Sequence, residues 1–180
     1  VPSTIRSPFF FILFVPLIDA RSRQIRILKV HPSLCKLALF DPTLHVSLSQ
    51  SQMKSIALET LGIAVEAYLS QKANFFSDMF AEKAIELLGS YLNASEGDVS
   101  AISPEVMLSQ GGCMASLAIT TSSVGPATLT ALAVGARYKI THSLTGSILF
   151  PYMLEDVALF KRDRIVRVAQ LLGIEEDLVG

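Results

Sequence analysis

The spacing of the apolar residues changes near residue 49, and this change limits the possible folds more than any other feature. Before it, apolar residues occur in short continuous runs at 9–18, 25–30 and 37–40, which are typical of strands. After it, they recur at intervals of three, four and seven, as on one side of a helix. We therefore predict an α+β chain that is mainly α, with a short strand segment at 1–48 and an all-α domain at 49–180.

The strand segment has two features of a hairpin. The runs at 9–18 and 25–30 are separated by the polar stretch 19–24, and the first run is apolar enough to predict a buried strand. The first run is also too short to cross a bilayer, which takes about 20 residues, and no small-residue cleavage site follows it. We therefore expect no membrane partner.

The later part of the chain carries start and stop signals of helices. Ser77 and Ser103 are placed as N-caps, Pro151 is placed as a stop, and Gly173 is placed as a C-cap. A Gly111-Gly112 pair inside one predicted helix indicates close helix packing. We predict helices at residues 49–71, 78–92, 103–121, 127–136, 142–149 and 161–172.

Composition excludes several classes of protein. Hydrophobic residues make up 51% and charged residues 17%, which indicates a packed chain rather than a disordered one. Lys and Arg number 15 against 16 Asp and Glu, without a large basic cluster, so a nucleic-acid partner is not expected. The two cysteines, Cys35 and Cys113, are far apart and favour reduced thiols in a cytoplasmic protein over a disulfide framework.

Four segments carry more specific patterns. Residues 1–4 read VPST, and residues 37–42 read LALFDP. Residues 57–68 read ALETLGIAVEAY, and residues 135–151 read GARYKITHSLTGSILFP. Together these four segments resemble, in order and spacing, the iron-type (group III) alcohol dehydrogenases. The last two resemble that family's signatures G-M-D-A-L-x-H-x-I-E-A-Y and G-A-x-Y-x-x-P-H-G-x-A-N-A-x-L-L-P.

The resemblance implies a dehydroquinate synthase-like fold with two parts. Residues 1–48 would be the C-terminal remnant of a dinucleotide-binding α/β domain, since the first two segments resemble strand ends of that domain. Residues 49–180 would be an all-α metal-binding domain, which we expect to be truncated. The cofactors implied are Fe²⁺ or Zn²⁺ and NAD(P), and the metal would polarise the alcohol oxygen for hydride transfer.

The resemblance also implies a set of metal ligands, which this sequence preserves only in part. The family uses an Asp and a His four residues apart on one helix, plus two later histidines. Here Glu59 stands at the Asp position, and Ile63, which has no lone pair, stands at the first His position. Thr128 stands at the third ligand position, and His142 is unchanged at the fourth. We expect Glu59 and His142 to be the remaining ligands of a degenerate site.

Both of these ligand assignments have ordinary alternatives. A helical Glu is typically a solvated surface carboxylate, and Glu59 has Lys54 as a possible partner. A lone His that opens a helix, as His142 does, is typically structural.

Binding of NAD(P) depends on the start of the chain. By resemblance, Ser3 and Thr4 would donate hydrogen bonds to the nicotinamide cofactor. The Gly-rich loop that follows in the family is replaced by residues 5–10, IRSPFF, whose side chains crowd the approach of the backbone to the cofactor. We therefore expect weak cofactor binding by this chain.

Two functions follow from these patterns. The first is NAD(P)-dependent interconversion of a small alcohol and its aldehyde, impaired by the missing ligands. The second is a catalytically inactive relative whose helical domain acts as a structural or protein-interaction module. A chain that is a piece of a longer protein would also expose apolar faces, so we expect self-association or a homo-oligomer.

Overall fold

The computed structural model describes residues 11, 14–22, 24–31, 37, 40–45, 48–94 and 102–174, apart from the side chains of residues 44, 45 and 142. In this part of the chain, a hairpin and a short 3-10 turn at Pro42–His45 precede six helices, which confirms the predicted fold class. The strands are β1 (Phe14–Ile18) and β2 (Ile25–Lys29). The helices are α1 (Gln50–Tyr68), α2 (Phe75–Asn93), α3 (Pro104–Thr121), α4 (Pro126–Tyr138), α5 (His142–Ala158) and α6 (Arg162–Leu171).

The predicted hairpin is confirmed, but its first strand is not buried. β1 and β2 are antiparallel, with Phe14 opposite Lys29 and Ile18 opposite Ile25. Phe14 is 48% exposed and Ile18 52% exposed. A sheet of two strands buries little of its own surface, so an apolar run in such a sheet stays open to solvent. The third predicted strand, at 37–40, lies mostly outside the described residues.

Several predicted helix ends are confirmed by their caps. Ser49 caps α1 and forms a capping box with Gln52, so both residues satisfy amides at the start of the helix. Ser103 caps α3, and Pro104 occupies its first helical position. Gly173 follows Leu172, the C-cap of α6, and adopts a φ of 72°, a conformation that glycine accepts without strain.

The predicted start of α2 was wrong. The helix begins at Phe75, and its N-cap is Asn74 rather than Ser77. The Asn74 side chain accepts the amide protons of Phe76 and Ser77, while the Ser77 hydroxyl accepts the amide proton of Asn74 at 2.8 Å. Ser77 therefore closes the capping box from inside the helix, where it is fully buried.

The predicted end of α5 at Pro151 was also wrong. The helix continues through this proline to Ala158, although Pro151 cannot donate a hydrogen bond to the carbonyl of Ser147. Apolar side chains on both sides of the proline pack on or into the core, and this packing outweighs one missing bond. These side chains are Phe150, Met153, Leu154 and Val157.

Helices α1, α2 and α3 hold the centre of the core. Gly111 lies on α3 where a Cβ atom would come within 2.8 Å of Leu88 Cγ on α2, which confirms the predicted close packing. Helix α6 closes the core with Val168, and two of its arginines pair with α2. Arg167 binds Glu82 at 2.8 Å, and Arg164 pairs with Asp78.

Within the described residues, no individual helix has both the length and the apolar composition needed to cross a membrane. Only α3 and α4 taken together reach that composition, and they meet at a bend of 104°.

Candidate functional site

One face of α1 carries the two site positions predicted on this helix. Residues 59, 63 and 66 are separated by four and three positions, so their side chains leave the same side of the helix. Ile63 is 5% exposed, and Glu66 is 4% exposed. Glu59 is partly buried and its Oε2 atom is shielded from solvent, so it is not a fully solvated surface carboxylate.

Glu66 connects this face of α1 to the start of α4. Its Oε1 atom accepts the amide proton of Ala127 at 2.6 Å. The amide of Thr128 lies 3.3 Å from Oε1 and 3.2 Å from Oε2. The amides at the start of a helix have no partner within the helix and carry partial positive charge, so a carboxylate is well suited to bind them. The face of α1 that carries Glu59 and Ile63 is therefore turned toward the first turn of α4.

The environment of Glu66 acts on its acidity in two directions. Burial raises the pKa of its carboxyl above the ordinary value, because a charge is costly away from water. Hydrogen bonds from the Thr128 side chain and from the amides of Thr128, Ala127 and Gly125 oppose this rise. The balance is typical of a buried carboxyl that is stabilised by its donors rather than by a cation.

Thr128, which we predicted at the third ligand position, lies in the first turn of α4. Its amide donates to the Glu66 carboxylate, and its hydroxyl is one of the groups that lower the pKa of Glu66. A neutral hydroxyl is a poor ligand for a transition metal.

His142, which we predicted at the fourth ligand position, is the first residue of α5, and its side chain lies outside the described residues. Helix α5 packs on both α4 and α1, so the helix that bears His142 borders the two helices that bear the other positions. Ser3 and Thr4, the predicted cofactor residues, also lie outside the described residues.

The three described side chains at the predicted ligand positions do not supply the donors of a four-ligand metal site. Glu59 offers a carboxylate, Ile63 offers no donor atom, and Thr128 donates to Glu66. Among the described residues, no group of three or more His, Cys, Asp or Glu side chains is arranged to hold a metal ion. Helices α1 and α4 therefore meet, but the side chains described at this junction do not form a set of metal ligands.

Glu66 is the site residue that the sequence analysis missed. It stood inside the segment ALETLGIAVEAY and matched the Glu of the family signature. A second signal was the Gly125-Pro126 pair at the start of α4. Neither residue has a side chain that can cap a helix, so an acceptor from elsewhere in the chain was needed.

Known proteins share the sequence pattern of this chain. A model of the Fe-containing alcohol dehydrogenase family, C-terminal, matches residues 56–179. The NAD-dependent methanol dehydrogenase of Bacillus methanolicus is 26% identical over 145 residues, which cover 81% of this chain and 37% of that protein. The probable alcohol dehydrogenase EutG of Escherichia coli (strain K12) is 27% identical over 157 residues, which cover 87% of this chain and 40% of that protein.

Solved structures share the fold. The crystal structure of 1,3-propanediol oxidoreductase superposes with a TM-score of 0.87 at 19% identity, and the match covers 99% of this chain and 47% of that one. An alcohol dehydrogenase from Oenococcus oeni gives 0.85 at 18% identity, covering 95% of this chain and 45% of that one. The chain thus spans less than half the length of these relatives. Since the family match extends over residues 56–179, well over half of the sequence, this protein belongs to the Fe-containing alcohol dehydrogenase family and corresponds to its C-terminal region.

Proposed function

We propose that this chain is the helical, metal-domain part of an NAD(P)-dependent oxidoreductase that interconverts small alcohols and aldehydes. The observation that carries the proposal is the meeting of α1 and α4 at Glu66, since these are the two helices to which we assign the first three ligand positions. The names of the relatives, among them a methanol dehydrogenase and a 1,3-propanediol dehydrogenase, support small alcohols as substrates.

The proposed enzyme has two parts within this chain. Residues 1–48 would belong to the dinucleotide-binding part, with Ser3 and Thr4 toward NAD(P), and residues 49–180 would form the metal domain. Glu59 and His142 would be the residual ligands for Fe²⁺ or Zn²⁺. We also propose a cytoplasmic protein whose partners are a small alcohol or aldehyde and a second copy of the chain. The nearly balanced charge, with a net value of −1, favours these partners over nucleic acid.

A second candidate function is supported by the donor set. With Ile63 and Thr128 at two ligand positions, the chain would hold metal weakly and would persist as a catalytically inactive helical module for structural or protein contacts. Helix α5 supports this alternative with a row of apolar side chains four residues apart. Leu144 is 55% exposed, Ile148 is 57% exposed, and Tyr152 is 65% exposed.

One experiment separates the two candidates. The purified chain is analysed for bound iron and zinc, and is then incubated with added Fe²⁺ or Zn²⁺, NAD⁺ and a series of small primary alcohols while the absorbance of NADH is followed. Metal-dependent formation of NADH that is lost in Glu59→Ala would support the oxidoreductase. The matched control is Glu86→Ala, an exposed acid on α2 that pairs with Lys83. Absence of turnover at saturating metal and cofactor would support the inactive module.

A further inference from the structure

We propose that Glu66 is a positioning residue, which sets the start of α4, and with it position 128, against the face of α1 that carries Glu59 and Ile63. The inference rests on the proposed function, because a site shared by two helices requires a fixed separation between them. The positioning role does not require a bound metal, because one buried side chain determines where α4 begins relative to α1.

The first support is that α4 lacks a cap of its own. Its N-cap, Gly125, has no side chain, and its first helical residue, Pro126, has no amide proton. The next two amides, of Ala127 and Thr128, both donate to Glu66. The acceptor that a helix usually finds in its own N-cap is thus supplied here by α1, 61 residues earlier in the chain.

The second support is the shape of the junction. A Cβ atom at position 125 would lie 2.4 Å from both the carboxyl carbon and Oε1 of Glu66, and 2.7 Å from its Cβ. The backbone φ of Gly125 is −90°, which any residue can adopt, so the glycine is required by space and not by conformation. The carboxylate therefore fills a volume that the sequence keeps open for it.

The third support is the placement of the neighbouring contacts. The hydroxyls of Ser70 and Ser123 meet at 2.7 Å, which joins the end of α1 to the turn before α4. That contact holds the turn, whereas Glu66 holds the helix itself. A buried charged hydrogen bond that is lost leaves unsatisfied donors, so α4 should shift or loosen when the carboxylate is removed.

The test measures position separately from stability. Spin labels are placed at Lys54 on α1 and Ala133 on α4, both exposed, after Cys35 and Cys113 are replaced by serine. The distance distribution between the labels is recorded by double electron–electron resonance for the parent and for Glu66→Gln. We expect the distribution to broaden or shift in Glu66→Gln under conditions where the protein is fully folded.

Amide hydrogen exchange gives the local readout. In Glu66→Gln, exchange at Ala127 and Thr128 should accelerate by about tenfold, because glutamine keeps one acceptor oxygen but loses the charge that strengthens the hydrogen bonds. The matched control is Glu82→Gln, an acid that binds Arg167 and the Tyr68 hydroxyl, away from α4. This control should leave both α4 readouts unchanged.

Gly125→Ala is the second variant, in case Glu66→Gln does not fold. Its added Cβ displaces the carboxylate without changing the charge, so the same shift in label distance is expected. Unchanged exchange and unchanged distance in both variants would overturn the proposal. Faster exchange with an unchanged distance would also overturn it, because Glu66 would then only cap α4. A changed distance together with failure of histidines at positions 63 and 128 to bind metal would sink the proposed function and leave the positioning role standing.

Discussion

The Oε1 atom of Glu66 lies 2.6 Å from the amide nitrogen of Ala127, so a side chain near the end of α1 serves as the cap of α4. This relationship joins two helices that are far apart in sequence, α1, which carries Glu59 and Ile63, and α4, which carries Thr128. Thr128 faces the same carboxylate with its amide and its side chain. Hydrogen bonds to Glu66, which need no metal ion, therefore join α1 to the start of α4.

Thr128→Val should destabilise the protein although the two side chains have nearly the same shape. The change removes a hydroxyl that lowers the pKa of the buried Glu66 carboxyl, and the loss of a polar group from a buried carboxylate should reduce the free energy of unfolding by about 1–3 kcal/mol. Chemical denaturation of both proteins measures the loss. Thr130→Val, an exposed change on the same helix, is the control and should alter stability by less than about 0.5 kcal/mol. Equal effects of the two changes would contradict the assigned contact.

Gly111→Ala should also destabilise the protein, in spite of the better helix propensity of alanine. The new methyl group would come within 2.8 Å of Cγ of Leu88, which is fully buried and has little room to move. Overpacking of this kind costs about 1–3 kcal/mol. Gly146→Ala is the matched control, because its Cβ would meet only Ala131 Cβ, at 3.9 Å. We expect that variant to gain about 0.5–1 kcal/mol from helix propensity. If thermal melts rank the two variants in the opposite order, the packing of α3 on α2 is misassigned.

Acidification should weaken the docking of α6 through Glu82. The hydrogen bond from Arg167, at 2.8 Å, is the main cause that holds the pKa of Glu82 below its ordinary value of 4.5. A carboxyl with a lowered folded-state pKa stabilises the protein above pH 4.5, and this contribution is lost as the pH falls from there through the folded-state value. Because the pair is partly exposed, the contribution should not exceed about 1 kcal/mol.

The measurement is the melting temperature of the parent and of Glu82→Gln between about pH 6 and pH 3, a window set by the ordinary Glu pKa. The parent should be more stable at the upper end, and the difference should shrink toward the acidic end. Glu86→Gln serves as an exposed control on the same helix. A difference that grows on acidification would contradict the assigned pair.

The exposed row on α5 leads to a prediction about assembly. Ile148 lies between Leu144 and Tyr152 in this row and is 57% exposed. If a second copy covers the row, Ile148→Lys should shift the protein toward monomer in sedimentation velocity, because a charge cannot be buried there without a partner. Ser143→Lys, on the same helix outside the row, is the control. An unchanged distribution of species in Ile148→Lys would remove α5 from the interface.

The sequence predicted those features that depend on neighbouring residues. The caps at Ser103 and Gly173 were predicted because each acts within about one turn of its own helix. The start of α2 was misplaced because Asn74 and Ser77 are both capping residues, and local pattern does not decide which of them lies outside the helix.

Features that depend on residues far apart in sequence were not predicted. Pro151 is a strong local stop signal, but packing of α5 on the core overrides it. The run before Asp19 was apolar enough for a buried strand, yet the described sheet has two strands, and Phe14, Leu17 and Ile18 stay exposed. The role of Glu66 as a hydrogen-bond acceptor was not predicted, because its partner, the start of α4, lies on another helix.

The central claim is that positions 59, 63, 128 and 142 surround one point, as the family's ligand positions do. It is tested most directly by titrating Co²⁺ into Ile63→His, Thr128→His and into the parent chain, and following the visible absorption of the bound ion. The control is Leu58→His, Leu129→His, which adds the same number of histidines at exposed positions on the same two helices.

We predict that Ile63→His, Thr128→His binds one Co²⁺ at least about 100-fold more tightly than the parent and the control. Loss of one outer-shell partner already lowers metal affinity by about 10–100-fold, so two added ligands should have at least the larger of these effects. Binding no tighter than that of the control would contradict the account, because the four positions would then not share a site.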